Sequence, residues 1–157
     1  MIAPLPAVEH RVRVALPPPQ AFELFTRQIT RWWPFRGHSC FDDAAAGLAI
    51  EERVGGSVTE TSRSGEQMTW GTLTEWAPPR AFAMRWHPGL PPAEATLLRV
   101  SFSAAPGGGT DVAVHHSGWE ARGAAATGKR EQYEGGWPET LAAFTSLAAQ
   151  PAWWSAR

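Results

Sequence analysis

Between Leu48 and Trp119 the chain falls into six short, largely alternating segments, at 48–53, 57–62, 67–76, 81–87, 95–103 and 110–117. Glycine- and proline-rich breaks separate them, among them Gly55–Gly56, Ser64–Gly65, Pro78–Pro79 and the run from Pro106 to Gly109. Turns this short join antiparallel neighbours, because a parallel crossover needs about a dozen residues or more. Six strands in hairpin succession leave a sheet with an apolar face to cover. The rest of the chain must cover it, and this requirement restricts the fold more than any other feature.

The flanking segments suit that task. "VEHRVRVAL" places Val8, His10, Val12 and Val14 on one face and Glu9, Arg11 and Arg13 on the other, which predicts a further half-buried strand. "PPPQAFELFTRQITRWW" changes to a helical period, with Phe22, Phe25, Ile29 and Trp32 on one face and Pro34 as its stop. Residues 35–47 read as a loop. After Trp119, residues 120–134 read as a helix interrupted by glycine, and "GWPETLAAFTSLAA" as a firmer one with Leu141 and Phe144 inward. The expected order is strand, helix, six strands, C-terminal helix: an α+β fold in which a curved antiparallel sheet wraps the last helix. Twist curls a long sheet, so an internal cavity is expected between sheet and helix. The 157 residues suit a single domain, 1–157, with its core at about 8–149.

Several function classes fall away on composition. The net charge is −1, and Lys129 is the only lysine, so no basic patch for nucleic acid is expected. No apolar run approaches a membrane span, and "MIAPLPAVEHRV" lacks the build of a signal peptide. Cys40 is the only cysteine, which rules out an intrachain disulfide and leaves the cytoplasm as the expected location. The Arg, Ala, Gly and Pro bias is that of a GC-rich, bacterial genome.

Nine tryptophans against one tyrosine make the aromatic residues the leading candidates for function. Alternation puts Trp70, Thr72, Thr74 and Trp76 on one face, and Phe82, Met84 and Trp86 on one face of the next strand. Any single one of them belongs more readily to the core than to a ligand. As a group, aromatics with interleaved threonines suit a pocket wall, which is apolar with a few placed polar groups. The expected lining is Trp33, Phe35, Trp70, Thr72, Trp86, His116 and Trp137. In "ITRWWPFRGHSC", Trp32 continues the core stripe while Trp33 leans toward the cavity mouth.

His115 and His116 are adjacent on a strand and point to opposite faces, so they cannot share a metal. His116 follows the inward parity of Val112 and Val114. It is either a buried imidazole satisfied by its surroundings or a side chain that orients a ligand. Glu52 and Glu60 would be candidate acids or bases if they faced inward. The expected outcome is a parity shift at Gly55–Gly56 that leaves both in solvent. "GHSCFDD" collects His38, Cys40, Asp42 and Asp43, but one Cys with one His falls short of a structural zinc pattern. No metal and no cofactor are expected, and no catalytic residue can be assigned. The "AWW" at Ala152 to Trp154 is expected to dock on the sheet or on a second subunit.

Taken in order, "AFELFT", "ITRWWP", "RVGGSVTE", "WGTLTEWAPPRAFAMRW", "GTDVAVHHSGW" and "GGWPETLAAF" resemble the START-like (SRPBCC) superfamily. The branch they resemble most is that of homologues of the activator of a heat-shock chaperone's ATPase. The resemblance implies a helix-grip fold with an apolar cavity between sheet and C-terminal helix. It implies binding of a small hydrophobic or amphipathic molecule, with a homodimer also compatible. Two alternatives come with it: a polyketide cyclase- or hydrolase-like enzyme using the same cavity, and a chaperone-associated interaction module. Pro17, Pro18 and Pro19 depart from the family's capping Ser or Asp. Gly135 and Gly136 are expected to break or delay the last helix.

Overall fold

The computed structural model describes residues 4–150. All seven expected strands form: β1 (Val8–Val14), β2 (Ala45–Ile50), β3 (Ser57–Ser62), β4 (Gln67–Ala77), β5 (Ala81–Trp86), β6 (Thr96–Ala104) and β7 (Thr110–Ser117). They pair antiparallel in the order β1-β7-β6-β5-β4-β3-β2. Six strands meander from hairpin to hairpin, and β1 returns beside β7 with Val8 opposite His116 and Val14 opposite Thr110. The curled, half-barrel sheet holds the helices α1 (Pro18–Phe25) and α2 (Ala126–Ala148) on one face, as the α+β reading requires. Ala152 to Trp154 lie outside the described residues.

α1 is shorter than its apolar stripe. It ends at Thr26, whose hydroxyl donates to the Phe22 carbonyl at 2.7 Å, and a 3-10 turn over Ile29–Arg31 follows. The β-branched, back-bonding Thr26 competes with the helical ladder at that point. The stripe still points inward. Phe22 and Phe25 pack on Phe82 and Phe102, while Trp32 packs on Phe25 and Phe144.

α2 is longer than expected. It runs unbroken through Gly135 and Gly136, and Pro138 sits on its exposed side, where the missing N–H and the crowded ring meet solvent. Packing of its inner face overrides the glycine penalty: Trp137, Leu141 and Phe144 are all buried. β2 begins three residues earlier than its apolar pattern suggests, so Glu52 falls in the turn and pairs with Arg27 in solvent at 2.7 Å.

β4 carries the main correction to the expected parity. Its register slips once against β3, between Val58 and Thr59, and once against β5, between Leu73 and Glu75. Each β-bulge inserts an extra residue and exchanges the faces of the residues beyond it. Trp70, Leu73 and Trp76 therefore turn toward the core, whereas Thr72 pairs with exposed Arg85 on the outer face and Thr74 is exposed. Thr72 does not line the interior. Gly71 has no room for a side chain: a Cβ there would stand 1.8 Å from the Arg85 carbonyl oxygen and 2.8 Å from Met84 Cε.

Gly71→Ala should therefore cost about 3 kcal/mol or more, at the upper end of overpacking. Gly65→Ala, in an open turn with nothing within 4 Å of a Cβ, should cost only the strain of its left-handed backbone, about 1–2 kcal/mol. Urea unfolding of both variants checks the order, and equal costs would refute the account of β4.

Candidate ligand-binding cleft

Among the described residues six tryptophans are buried: Trp32, Trp33, Trp70, Trp86, Trp119 and Trp137. A buried indole N–H needs an acceptor, and the acceptors organise the site. Trp70 Nε1 donates to Glu60 at 2.8 Å. The same carboxylate accepts the backbone N–H groups of Cys40 at 2.8 Å and Phe41 at 3.1 Å. Glu60 is thus fully buried on β3, contrary to the solvated position expected for it. It pins the 35–44 loop to the sheet. Trp33 Nε1 holds the loop from inside, donating to the His38 carbonyl at 3.1 Å, and the His38 ring lies 3.1 Å from Glu139 of α2.

On the other side stands α2. Trp137 Nε1 donates to His116 Nδ1 at 3.0 Å, and an indole can only donate, so Nδ1 carries no proton. His116 Nε2 lies 2.7 Å from Thr96 Oγ1, which in turn donates to the Trp86 carbonyl at 3.2 Å. The chain of donors runs Trp137, His116, Thr96, Trp86 carbonyl, with the imidazole neutral and both nitrogens engaged. Burial, with the nearby charge of Arg122 and then His115 as lesser causes, holds its pKa down at about 3. His116 is a satisfied structural imidazole behind Trp137. It does not line a pocket.

The space expected between sheet and helix is divided in two. Its deep part is filled by Trp33, Trp70, Trp86 and Trp137, leaving a void of about 20 Å³, room for roughly one water. The roomy part is a cleft of about 570 Å³ at the mouth, between the 37–40 loop, Pro88 and Leu90, and α2 from Lys129 to Thr140. Trp33, Trp86 and Trp137 form its apolar wall. Gly135 and Gly136 leave the facing helical turn bare.

The polar groups of the cleft come from residues outside the expected lining. Arg122 sits on the 3-10 segment Trp119–Ala125 after β7, between Gly118 and Gly123, both at positive φ. It is 7% exposed and lines the cleft. Its Nε donates to the Glu94 carbonyl at 2.7 Å. Tyr133 lines the cleft beside it, and its hydroxyl accepts from Trp86 Nε1 at 2.8 Å. Burial raises the Tyr133 pKa above the usual phenol value, against the opposing pull of Trp86 and Arg122, so the phenol stays protonated. A usable signal existed: the chain's one tyrosine precedes Trp137, Leu141 and Phe144 at helical spacing.

Of the expected lining, then, Trp33, Trp86 and Trp137 meet at the cleft, and Trp70 lies behind them on the small void. Phe35 packs on the core beside the loop, while Thr72 and His116 are elsewhere. Trp32 and Trp33 are equally buried, but Trp32 touches Phe25 and Phe144 and donates to Leu24, away from the cleft. Cys40 borders the cleft with its pKa raised to about 11, chiefly by burial and then by Glu60, and is a thiol rather than a nucleophilic thiolate. Among the described residues no three His, Cys, Asp or Glu side chains are grouped to hold a metal, and no helix is long and apolar enough to cross a membrane.

His116 also predicts a pH profile. Its folded pKa lies below the ordinary 6.5, so the unfolded chain binds the extra proton between pH 6.5 and about 3. The stabilisation is complete above pH 6.5 and is lost as pH falls through that window, by up to about 1.4 kcal/mol per unit. His116→Gln, with no proton to gain, should flatten stability measured by urea unfolding between pH 6 and 4. An unchanged slope would refute the assignment.

Comparison with known proteins places this geometry among relatives. The family model for activator of Hsp90 ATPase homolog 1-like proteins matches residues 15–149. Among solved structures, an anthrahydroquino-γ-pyrone synthase, solved as a complex, is 33% identical, covering 93% of this chain and 99% of that one with a TM-score of 0.64. The Aha1 dimer of Colwellia psychrerythraea is 14% identical, with 92% and 96% covered and a TM-score of 0.62. An HSP90 activator of Plasmodium falciparum is 20% identical, with 72% and 73% covered and a TM-score of 0.53. At their identities the last two carry the fold alone. Comparison with curated proteins gives no match.

Proposed function

The chain belongs to the family of activator of Hsp90 ATPase homolog 1-like proteins, and we propose that it serves there as a small-molecule protein rather than a chaperone partner. Its cleft takes a planar, oxygen-bearing polycyclic aromatic molecule and promotes ring closure on it, in the manner of a polyketide cyclase or synthase. The carrying observation is the cleft itself, about 570 Å³ with an indole wall on one side and Arg122 and Tyr133 at its polar end. Small-ligand sites fall at about 300–1,000 Å³ with this mixture of apolar wall and few placed polar groups. The 33%-identical relative, matched along nearly its whole length, is by name a synthase of such a fused aromatic pyrone. We take the whole chain to act as one unit, in the cytoplasm.

The chaperone-linked alternative needs an exposed apolar patch. The large apolar side chains exposed among the described residues are Val54 in the turn between β2 and β3, Met68 on β4 and Leu97 on β6. They support no such surface.

Titration with 2-hydroxyanthraquinone, followed by tryptophan emission, tests the proposal. Saturable quenching is expected, with about 2.7 kcal/mol of added stability at a hundredfold excess over Kd. Trp33→Leu should weaken binding and Trp32→Leu should not, although both destabilise the fold. Quenching that never saturates, or that responds equally to both variants, would overturn the cleft as the site.

A further inference from the structure

Arg122 is an expensive residue to keep. A guanidinium that is 7% exposed loses most of its hydration, and such groups are normally matched by a carboxylate. Among the described residues none lies within ion-pair distance of it. Its hydrogen bonds go to neutral carbonyls, Glu94 at 2.7 Å and Trp86 at 3.4 Å. The carbonyls engage two of its five N–H donors, and the Tyr133 hydroxyl, its further hydrogen-bonding neighbour, is neutral as well. Tyr133 adds a second donor. Its oxygen already accepts the Trp86 indole, and among the described residues no acceptor takes its own proton.

The other ionisable groups of the cleft do not neutralise Arg122. Glu139 is engaged with His38, Cys40 is a thiol, and Lys129 adds positive charge at the rim beside Gln132. His116, behind the wall, is neutral. A positive floor under an aromatic wall attracts one kind of ligand.

We infer that Arg122 and Tyr133 form an oxyanion subsite, so that the cleft selects polycyclic aromatics presenting a phenolate or enolate oxygen. The inference rests on the cleft reading above and sharpens it: the indole wall holds the ring system, and the two donors hold its charged oxygen.

The dye 2-hydroxyanthraquinone changes its visible absorption on ionisation, and uncharged anthraquinone is its matched control. Bound to the wild-type protein, the hydroxy dye should ionise about 1–3 pH units below its value in water, as expected beside an opposite charge. Arg122→Gln should abolish that shift while anthraquinone still binds, which also shows the variant is folded. Tyr133→Phe should reduce the shift without abolishing it. If both dyes bind and no shift occurs, the subsite is refuted and the cleft reading stands. If Lys129→Gln rather than Arg122→Gln removes the shift, the anion sits at the rim and the assignment falls. If neither dye binds the wild-type protein, the aromatic cleft fails and the subsite with it.

Discussion

Everything near the cleft depends on finding acceptors for buried indole N–H groups. Six indoles are buried among the described residues, and each N–H has a partner: the Leu24, His38 and His116 carbonyls, the Glu60 carboxylate, the Tyr133 hydroxyl and His116 Nδ1. An unpaired buried donor costs about 1–3 kcal/mol, so these partners are constrained almost as tightly as the rings. Satisfying Trp70 brings Glu60 into the interior, and Glu60 then captures the Cys40 and Phe41 backbone. Satisfying Trp86 and Trp137 orients Tyr133 and fixes the His116 tautomer. The polar geometry of the site follows from packing a core out of tryptophan.

That dependence explains why the architecture was legible and the site only partly so. Strand order and the two helices follow from periodicity and turn residues, which are local. Thr72 faces outward because the β4 bulge against β3, at Trp70, exchanges its face, and the second bulge, at Thr74, restores the inward face only for Trp76; a bulge is a property of two strands together. Glu60 looked solvated because a carboxylate is usually costly to bury; its compensating donors come from a loop about twenty residues away. Trp33, Trp86 and Trp137 were readable as a pocket wall because large aromatics in a curled sheet have few other places to go. Arg122 gave no pattern, since the short 3-10 segment that carries it, bracketed by Gly118 and kinked at Gly123, is too brief to show a period.

The same packing relocates the useful space. A curled sheet around one helix leaves a gap, and four indoles close its deep end almost completely. The open part lies where α2 presents Gly135 and Gly136 and where the 35–44 loop is tied to β3 by Glu60 and reaches α2 through His38 and Glu139. The fold alone hosts many activities. Here the distinction between a packed interior and an amphipathic mouth carries the functional argument.

Charge at the floor is settled by the same network. Were His116 protonated, it would lose the Trp137 bond, since an imidazolium has no acceptor nitrogen for an indole N–H. It would also set a second buried cation near Arg122. Both effects favour the neutral ring, in the direction of its depressed pKa. Neutrality at His116 leaves Arg122, among the described residues, as the single buried cation at the polar end of the cleft, with a protonated phenol beside it. A wall of indoles, one fixed positive charge and one available O–H make a site that distinguishes aromatic molecules by the state of their oxygen as well as by their shape.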